Sequence, residues 1–311
     1  MRICYMGTPE FAVPALEALH GAGHTIVGVV TQPDKQQGRG MKTAPPPVKR
    51  AAEALGLPVL QPEKIRQGIE TIAGWEPELI VVAAYGKILP KAVLDLPPYG
   101  CVNIHASLLP RFRGAAPIQR AVAEGEKESG VTTMYMAEGL DEGDMIFRAA
   151  TAITPEDTGG SLHDRLMALG AELIVKTVAA ITAGEAPRTP QAHALATYAP
   201  SIKKHEGQID WSMPAHRIAT LVRGFNPWPV AYTGLEGKTL KIFSAVAVET
   251  DQVDSPGTLL SAGREGLLVK AGSGAVRITE LQAAGKRRMT AEDYLRGHPV
   301  AAGAVLGGPD A

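Results

Sequence analysis

Apolar strand patterns alternate with amphipathic stretches over the first part of the chain. Apolar residues at 2–6, 25–31 and 79–84 predict strands, and an Ala- and Leu-rich stretch at 12–20 predicts a helix between the first two. The continuous apolar run at 79–84 is typical of the middle of a parallel sheet, because both faces of such a strand are covered. This order of elements predicts a βαβ start and an α/β domain.

The pattern changes beyond residue 206 to short alternating stretches separated by glycine-rich turns. Strands are predicted at 231–235, 239–248, 257–260, 266–271 and 275–281. Their spacing predicts a small β-barrel or sandwich. Three prolines and few apolar clusters mark residues 187–206 as a linker. We therefore predict a domain at 1–186, a linker at 187–206 and a second domain at 207–311.

Composition agrees with a folded globular protein, since 45% of the 311 residues are hydrophobic and 20% are charged. The net charge of −1 gives no indication of a nucleic-acid partner, but the distribution of charge is more informative. Residues 35–52 contain five basic residues and no acidic one. Glycine, glutamine and proline make 32–47 a long exposed loop, and composition alone leaves open whether it is only a solvated linker.

Two cysteines, Cys4 and Cys101, lie in apolar strand-like settings. We expect them to be small core residues, not a disulfide or a metal site. The start of the chain enters a strand directly and lacks a signal-peptide pattern. No unbroken apolar run reaches the ~18 residues that a membrane span needs. These features predict a cytoplasmic protein with no metal and no membrane segment.

Candidate chemistry lies in residues 100–114. Asn103 and His105 alternate with Val102 and Ile104, so both polar side chains leave the same face of one strand. In open parallel sheets, ligands bind at the carboxyl ends of the strands. An amide and an imidazole there can hydrogen-bond a carbonyl oxygen and move a proton beside it. On the residues alone, a structural histidine with satisfied hydrogen bonds remains the alternative.

Two further turns bear on the chemistry. The first turn, Gly7 to Glu10, lacks the Gly-x-Gly-x-x-Gly pattern, which disfavours a dinucleotide site. The acidic turn Leu-Asp-Glu-Gly-Asp supplies Asp141 as a candidate carboxylate. Spacing alone leaves open that Glu142 or Asp144 holds the charge instead.

A family resemblance is carried by these same residues. Asn-x-His followed by Ser-Leu-Leu-Pro-x-x-x-Gly, at 103–114, resembles the signature of the 10-formyltetrahydrofolate-dependent formyltransferases. Gly-Leu-Asp-x-Gly-Asp, at 139–144, stands where that family places its catalytic aspartate. The resemblance implies that Asn103 and His105 stabilise an oxyanion, that His105 carries a proton, and that Asp141 orients the ring of His105.

The same resemblance implies 10-formyltetrahydrofolate as the formyl donor and co-substrate. Its site in this chain would be formed by residues after the central strand and in the preceding loop: Ser107, Leu108, Leu109 and Pro110, with Tyr85, Gly86, Ile88 and Leu89. Many relatives carry glycine after the histidine, whereas this chain has Ala106. The extra methyl group of Ala106 affects only how closely the backbone can be approached at this residue.

Outside this core, the chain is similar to the methionyl-tRNA formyltransferases over nearly its whole length. The matching stretches are 7–12, 31–34, 113–119, 209–211 and 223–229. The resemblance implies a Rossmann-like parallel-sheet formyltransferase domain followed by a small OB-fold-like β-barrel domain. It implies initiator methionyl-tRNA as the acceptor, a monomer, and tRNA contacts from Arg39 and Lys42 of the 32–47 loop and from Lys204.

Two other functions stay open at this point. A sugar-nucleotide acceptor would keep the folate chemistry, but the long basic loop and the lack of a fused second enzyme argue against it. A non-catalytic RNA-binding protein built on the barrel would need none of Asn103, His105 and Asp141.

Overall fold

The chain forms two compact units. The computed structural model describes residues 1–37 and 42–307, with the backbone alone at 36, 37 and 42. Unit 1 consists of Met1–Pro117, Glu128–Ala152 and His163–Pro200, and unit 2 of Ile118–Lys127, Ile153–Leu162 and Ser201–Ala311. Unit 2 therefore takes segments from both sides of the predicted linker. The boundaries placed at 186 and 206 from the sequence stay predictions.

The described residues form strands and helices in the following order. The strands are β1 (Arg2–Gly7), β2 (Thr25–Val30), β3 (Lys35–Gln37), β4 (Lys42–Ala44), β5 (Val59–Leu60), β6 (Leu79–Ala83), β7 (Cys101–His105), β8 (Glu128–Tyr135), β9 (Met145–Ala152), β10 (Ala231–Leu235), β11 (Lys238–Val248), β12 (Leu259–Gly263), β13 (Gly266–Lys270), β14 (Ala275–Ala283) and β15 (Met289–Thr290). The helices are α1 (Val13–Gly21), α2 (Pro47–Ala54), α3 (Ile69–Gly74), α4 (Lys91–Leu94), α5 (Pro117–Ala123), α6 (Gly159–Ala183), α7 (Ala215–Gly224) and α8 (Ala291–Gly297). Short 3₁₀ turns lie at Glu10–Ala12, Ile65–Gly68, His193–Leu195 and Lys204–Gly207.

Unit 1 is built on a seven-stranded sheet in the order β5-β2-β1-β6-β7-β8-β9. The pairings from β5 to β7 are parallel, which confirms the predicted α/β class. The last two strands differ, because β8 is antiparallel to β7 and β9 is antiparallel to β8. The apolar period of a strand is the same in both directions, so the sequence did not reveal this reversal.

The apolar core of unit 1 includes both cysteines. Cys4 and Cys101 are free and buried. They belong to a cluster with Ile72 of α3 and Val93 of α4, so these two helices cover that face of the sheet. Desolvation by burial raises the pKa of the Cys101 thiol to about 12. Both thiols therefore stay protonated, which agrees with their expected role as core residues.

Helix α6 is the longest helix, with 25 residues among those described. By length and composition it is apolar enough to cross a membrane, with a mean hydropathy of 1.7 over 18 residues. Glu172 and Lys176 interrupt its apolar residues, which is why the sequence shows no unbroken run. Leu166, Ile174 and Val178 are fully buried. The core helix of a folded protein has this same composition, so α6 is weak evidence for a membrane.

Unit 2 contains an antiparallel sheet in the order β10-β11-β14-β13-β12, with β15 beside β14. Residues 304–307 connect the two edges of this sheet. Leu259 N donates to Ala304 O at 2.7 Å, and Gly234 N donates to Gly307 O at 2.6 Å. The edges are thereby closed into a barrel, which leaves them protected. The C-terminal β-domain predicted from the alternating pattern is confirmed as an antiparallel sheet, and the bonds between its edges favour the barrel over the sandwich.

Early parts of the chain attach to α7 within unit 2. Thr220 Oγ1 donates to Ala123 O at 2.9 Å, and Arg217 donates to Glu124 O at 2.9 Å. Arg223 donates to Thr154 O at 3.0 Å. These contacts join the segments 118–127 and 153–162 to the helix that covers the barrel.

The packing of Gly28 in β2 predicts a stability effect. A Cβ atom at Gly28 would lie 2.3 Å from the ring of Trp75, whereas one at Gly21 of α1 would meet nothing within 4 Å. We expect Gly28→Ala to lower the free energy of unfolding by about 1–3 kcal/mol, the usual range for overpacking. Gly21→Ala is the matched control and should not lower it. Urea unfolding of both variants checks this, and an unchanged midpoint for Gly28→Ala would contradict the packing described.

A second prediction concerns the buried ring of Tyr85. Within 1–37 and 42–307, its hydroxyl group has no hydrogen-bond partner. Tyr85→Phe should therefore raise the free energy of unfolding by about 1 kcal/mol at neutral pH. Desolvation raises the pKa of Tyr85 from 10.0 to about 12. The folded state favours the protonated form, so wild type should lose more stability than Tyr85→Phe between pH 10 and 12. Destabilisation by Tyr85→Phe at pH 7 would show that the hydroxyl group has a partner.

Candidate active site

Asn103 and His105 lie at the carboxyl end of β7. This strand is the last of the parallel strands in the sheet order. His105 is buried, whereas Asn103 is half-buried. Among the described residues, none accepts or donates a hydrogen bond at the Asn103 side chain. Its amide is therefore available to a ligand, while the ring of His105 is already held by the protein.

The ring of His105 has a protein atom at each nitrogen. Nε2 lies 2.9 Å from Phe112 O. Because a carbonyl oxygen only accepts, Nε2 carries the hydrogen of this bond. Nδ1 lies 3.6 Å from Asp141 Oδ2. The carbonyl of Phe112 thus fixes the ring orientation and the hydrogen on Nε2, while Asp141 places its negative charge beside Nδ1 without a hydrogen bond.

Asp141 is held through its side chain and its backbone. Oδ2 accepts a hydrogen bond from Gly114 N at 2.8 Å. The backbone of Asp141 has a φ of 50°, in the left-handed region that is uncommon for residues other than glycine. Its carbonyl oxygen accepts from Gln191 Nε2 at 2.8 Å. The side chain of Asp141 is 15% exposed and that of His105 is 6% exposed, so the pair meets solvent mainly through the carboxylate.

The turn that carries Asp141 starts beside the end of β7 that is opposite to His105. Because β8 is antiparallel, its last residue, Tyr135, pairs with Val102 at the start of β7. His105 stands three residues further on, about 10 Å away along the strand. The turn between β8 and β9 therefore runs back along β7 to bring Asp141 to His105.

The sequence left three carboxylates open as the partner of His105. Asp144 lies 3.9 Å from Arg188, and its backbone oxygen accepts from Tyr135 N. The side chain of Glu142 occupies the space beside Gly139, where a Cβ atom would collide with it. Of the described carboxylates, only Asp141 lies within 4 Å of a ring nitrogen of His105.

The turn after β7 is closed by hydrogen bonds. Ser107 Oγ donates to Arg111 O at 2.6 Å. Thr132 Oγ1 on β8 donates to Ser107 O at 2.7 Å and accepts from Leu109 N at 3.1 Å. Leu109 is fully buried, while Leu108 and Pro110 are half-buried. Only Leu108 and Pro110 of the predicted folate residues in this turn offer appreciable exposed surface.

The loop after β6 contains the other predicted folate residues. Tyr85 O accepts from Gln32 Nε2 at 2.8 Å and from Thr8 Oγ1 at 3.1 Å. Gly86 has a φ of 79°, and a Cβ atom there would lie 2.6 Å from Gln32 Nε2. Leu89 is buried, but Ile88 is 84% exposed. An apolar side chain is thus presented to solvent from a loop whose base is fixed.

The predicted tRNA residues lie in separate parts of the chain. Arg39 is outside the described residues, and so is the side chain of Lys42, whose backbone belongs to β4. The strands β3 and β4 pair as a hairpin, so the predicted loop has regular structure at its base. Lys204 is exposed and lies in unit 2.

The base of this hairpin is fixed by Asp34. Its carboxylate accepts hydrogen bonds from Gln61 at 2.7 Å and from Lys49 at 2.9 Å. These bonds, with that from Gln61 the larger cause, lower the pKa of Asp34. Lys49 is therefore committed to an ion pair, which the count of basic residues at 35–52 does not show.

Sequence reasoning missed residues that hold the site together. Thr132 faces the Ser107–Leu109 turn from β8, and Arg113 and Gln191 bond to each other beside Asp141. The sequence did not single out Thr132, and it predicted Gln191 only as part of the linker at 187–206. A buried amide between prolines and polar residues carries no periodic signal that would have found it.

A cavity of about 310 Å³ adjoins the Asp141 turn. It is lined by Tyr135, Met136, Ala137, Glu142, Gly143, Asp144, Arg188 and His193. The guanidinium of Arg188 stacks over the ring of Tyr135 at 3.6 Å from its centroid. Among the described residues, no group of three or more His, Cys, Asp or Glu side chains is placed to hold a metal ion.

Two family models match this chain. The model of the formyl transferase family matches residues 1–178, and that of the formyl transferase C-terminal domain matches residues 201–299. A methionyl-tRNA formyltransferase from Pelotomaculum thermopropionicum is 52% identical over 310 residues, which are 99% of this chain and 99% of that protein. One from Moorella thermoacetica is 52% identical over 309 residues, with 99% of both chains covered.

Solved structures share the fold at low sequence identity. HypX from Aquifex aeolicus, in complex with tetrahydrofolic acid, has a TM-score of 0.65 at 18% identity, over 95% of this chain and 47% of that one. WlaRD, a sugar 3N-formyl transferase in the presence of dTDP and 5-N-formyl-THF, has a TM-score of 0.67 at 16% identity, over 92% of this chain and 99% of that one. Two family models along the chain, and identity at half of all positions with full-length relatives, lead to one conclusion: this chain belongs to the methionyl-tRNA formyltransferase family.

Proposed function

We propose that this enzyme transfers a formyl group from 10-formyltetrahydrofolate to the free amino group of initiator methionyl-tRNA, giving N-formylmethionyl-tRNA for translation initiation. The observation that carries the proposal is the Asn103, His105 and Asp141 constellation at the end of β7, in a chain that matches relatives of this name over 99% of its length. Translation takes place in the cytoplasm, and we propose that the enzyme acts there as a monomer, with α6 as a core helix.

Formyl transfer involves three changes at the formyl carbon. The amine attacks the formyl carbon, the carbonyl oxygen takes up negative charge, and the bond from that carbon to N10 of the folate breaks. One proton moves from the amine to N10, so the charges balance at the end. The enzyme has to supply hydrogen bonds to the oxyanion and a group that carries the proton.

Asn103 suits the oxyanion, because none of the described residues binds its side-chain amide. A half-buried amide at the end of a strand can donate to an oxygen without first breaking a protein hydrogen bond.

His105 and Asp141 suit the proton transfer. The Nε2 hydrogen of His105 faces Phe112 O, so donation to a substrate oxygen exchanges one carbonyl acceptor for another. Nδ1 stays beside Asp141, whose negative charge stabilises the imidazolium form of the ring. In that form Nε2 can give its hydrogen to N10 of the folate and take up the proton that the amine loses. We therefore assign His105 as second donor and proton carrier, and Asp141 as the group that orients it.

The folate would lie between the two loops described above. Ile88, Leu108 and Pro110 offer apolar surface to a flat ring. Ser107, Leu109, Tyr85, Gly86 and Leu89 would contribute through backbone groups or by packing, because their side chains are internally bonded, buried or absent. Solved structures of the same fold contain tetrahydrofolic acid or 5-N-formyl-THF, which supports folate as the donor.

The acceptor is proposed from the loop and from unit 2. Arg39 and Lys42 are the loop cations assigned to tRNA, because lysine and arginine suit phosphate contacts. Lys204 adds an exposed cation on unit 2.

A sugar nucleotide is the second candidate acceptor, since solved neighbours include sugar N-formyltransferases. The relatives that match over the full length favour tRNA instead. An assay with 10-formyltetrahydrofolate and either charged initiator Met-tRNA or an amino-sugar nucleotide separates the two. Transfer to the sugar alone would reject the acceptor assignment and keep the folate chemistry.

Removal of either donor should abolish most of the transfer. We expect Asn103→Ala and His105→Ala each to lower kcat by ~10²–10³-fold, the usual cost of one oxyanion donor. The control is His20→Ala, which changes an exposed histidine on α1. Formylation is measured at saturating folate and Met-tRNA. Turnover within a few-fold of wild type for either variant would refute its assigned role.

The loop cations should act on tRNA binding and leave the chemistry intact. We expect Arg39→Ala to raise KM for Met-tRNA, with kcat changed less, and to reduce the salt dependence of binding by about one counterion. Arg66→Ala, an exposed arginine elsewhere in unit 1, is the control. Identical tRNA affinity and salt slope for wild type and Arg39→Ala would remove Arg39 from the tRNA site.

A further inference from the structure

The segment from 187 to 200 is fixed to unit 1 at two points. Met145 N donates to Thr189 O at 2.9 Å, and Thr189 N donates back at 3.0 Å. Further on, Ala199 N donates to Arg113 O at 2.7 Å, and Arg113 N donates to Thr197 O at 2.8 Å. Gln191 lies between these two attachments. It also lies outside both family-model matches, which end at 178 and begin at 201.

The side-chain amide of Gln191 uses its full hydrogen-bonding capacity. Nε2 donates to Asp141 O and to Gly143 O, each at 2.8 Å. Oε1 accepts from Arg113 Nε at 3.1 Å and from its terminal nitrogen at 2.8 Å. Gln191 is only 5% exposed, so these bonds compete little with water.

These bonds complete a closed ring around Asp141. Gly114 N binds the carboxylate of Asp141, and the side chain of the preceding residue, Arg113, holds Gln191. Gln191 in turn binds the backbone of Asp141. The dipeptide that fixes the carboxylate therefore also fixes the amide that holds the left-handed backbone of Asp141.

Arg113 shows why a glutamine is required here. Arg113 is 3% exposed, and its side-chain hydrogen bonds among the described residues go to Gln191 Oε1 and to His193 Nδ1, neither of which is a carboxylate. Stability alone would favour a carboxylate beside a buried cation. A glutamate at 191 could not donate to the two loop carbonyls. The amide satisfies the carbonyl oxygens of Asp141 and Gly143, and no carboxylate of residues 1–37 and 42–307 forms an ion pair with Arg113.

We propose that Gln191 is a positioning residue for formyl transfer, which sets the backbone of the 141–143 turn and so places the Asp141 carboxylate against His105. This inference rests on the proposed function of Asp141. Gln191 itself would not touch the substrate. Its loss should therefore lower kcat, with KM for folate and Met-tRNA little changed.

The test is Gln191→Glu, which keeps an oxygen for Arg113, removes the two donors to the turn and adds one negative charge. We expect kcat to fall by about 10²-fold, as for a small misplacement of a catalytic group. Gln252→Glu, the same change at an exposed position, is the control. Gln191→Met removes the same donors without adding a charge and should give a similar loss.

Hydrogen exchange separates positioning from general stability. In Gln191→Glu, the amide of Gly114 should exchange faster, because its acceptor on Asp141 is no longer held in place. Amides of β1 and β6 should keep their protection. Faster exchange throughout unit 1 would indicate a merely structural role and overturn the inference. This measurement needs no substrate.

A double-mutant cycle with Asp141→Asn completes the test. In that background, Gln191→Glu should reduce kcat little further, since the group it positions is already impaired. Losses that simply multiply would overturn the inference. So would full activity of Gln191→Glu beside an inactive Asp141→Asn, which leaves the proposed function standing. Full activity of Asp141→Asn would instead refute the proposed role of Asp141 and the inference with it.

Discussion

The reversal of strand direction at β8 is the constraint on which the site depends. A parallel neighbour would release its chain at the end of β7 where His105 stands. The antiparallel β8 releases it at the other end, and the turn has to return about 10 Å before Asp141 meets the imidazole. Strand pairing does not fix a turn of this kind. Bonds from elsewhere in unit 1 fix it, through Gly114 and Gln191.

Much of the site was predictable, because alternation along a strand is a local property. The face shared by Asn103 and His105 follows from their spacing, and the apolar run of β6 gave the parallel core. The direction of β8 was not predictable, since both directions have the same period. Gln191 was not predictable either, because its partners in the turn are backbone carbonyl groups, which every residue carries.

The basic loop shows a similar limit. Composition counts the cations of 35–52 but does not say which of them have a partner. Lys49 donates to the carboxylate of Asp34, and Gln61 is a second donor to the same carboxylate. These bonds stabilise the base of the β3–β4 hairpin.

The segments 118–127 and 153–162 also affect how the chain is made. They belong to unit 2, yet their partners on α7 come much later: Thr220 follows Ala123 by 97 residues. At a synthesis rate of ~5–20 residues per second, this interval is about 5–20 s. During that time the carbonyl groups of Ala123 and Glu124 have no partner from α7. The growing chain thus carries these early segments of unit 2 before the helix that binds them has been made.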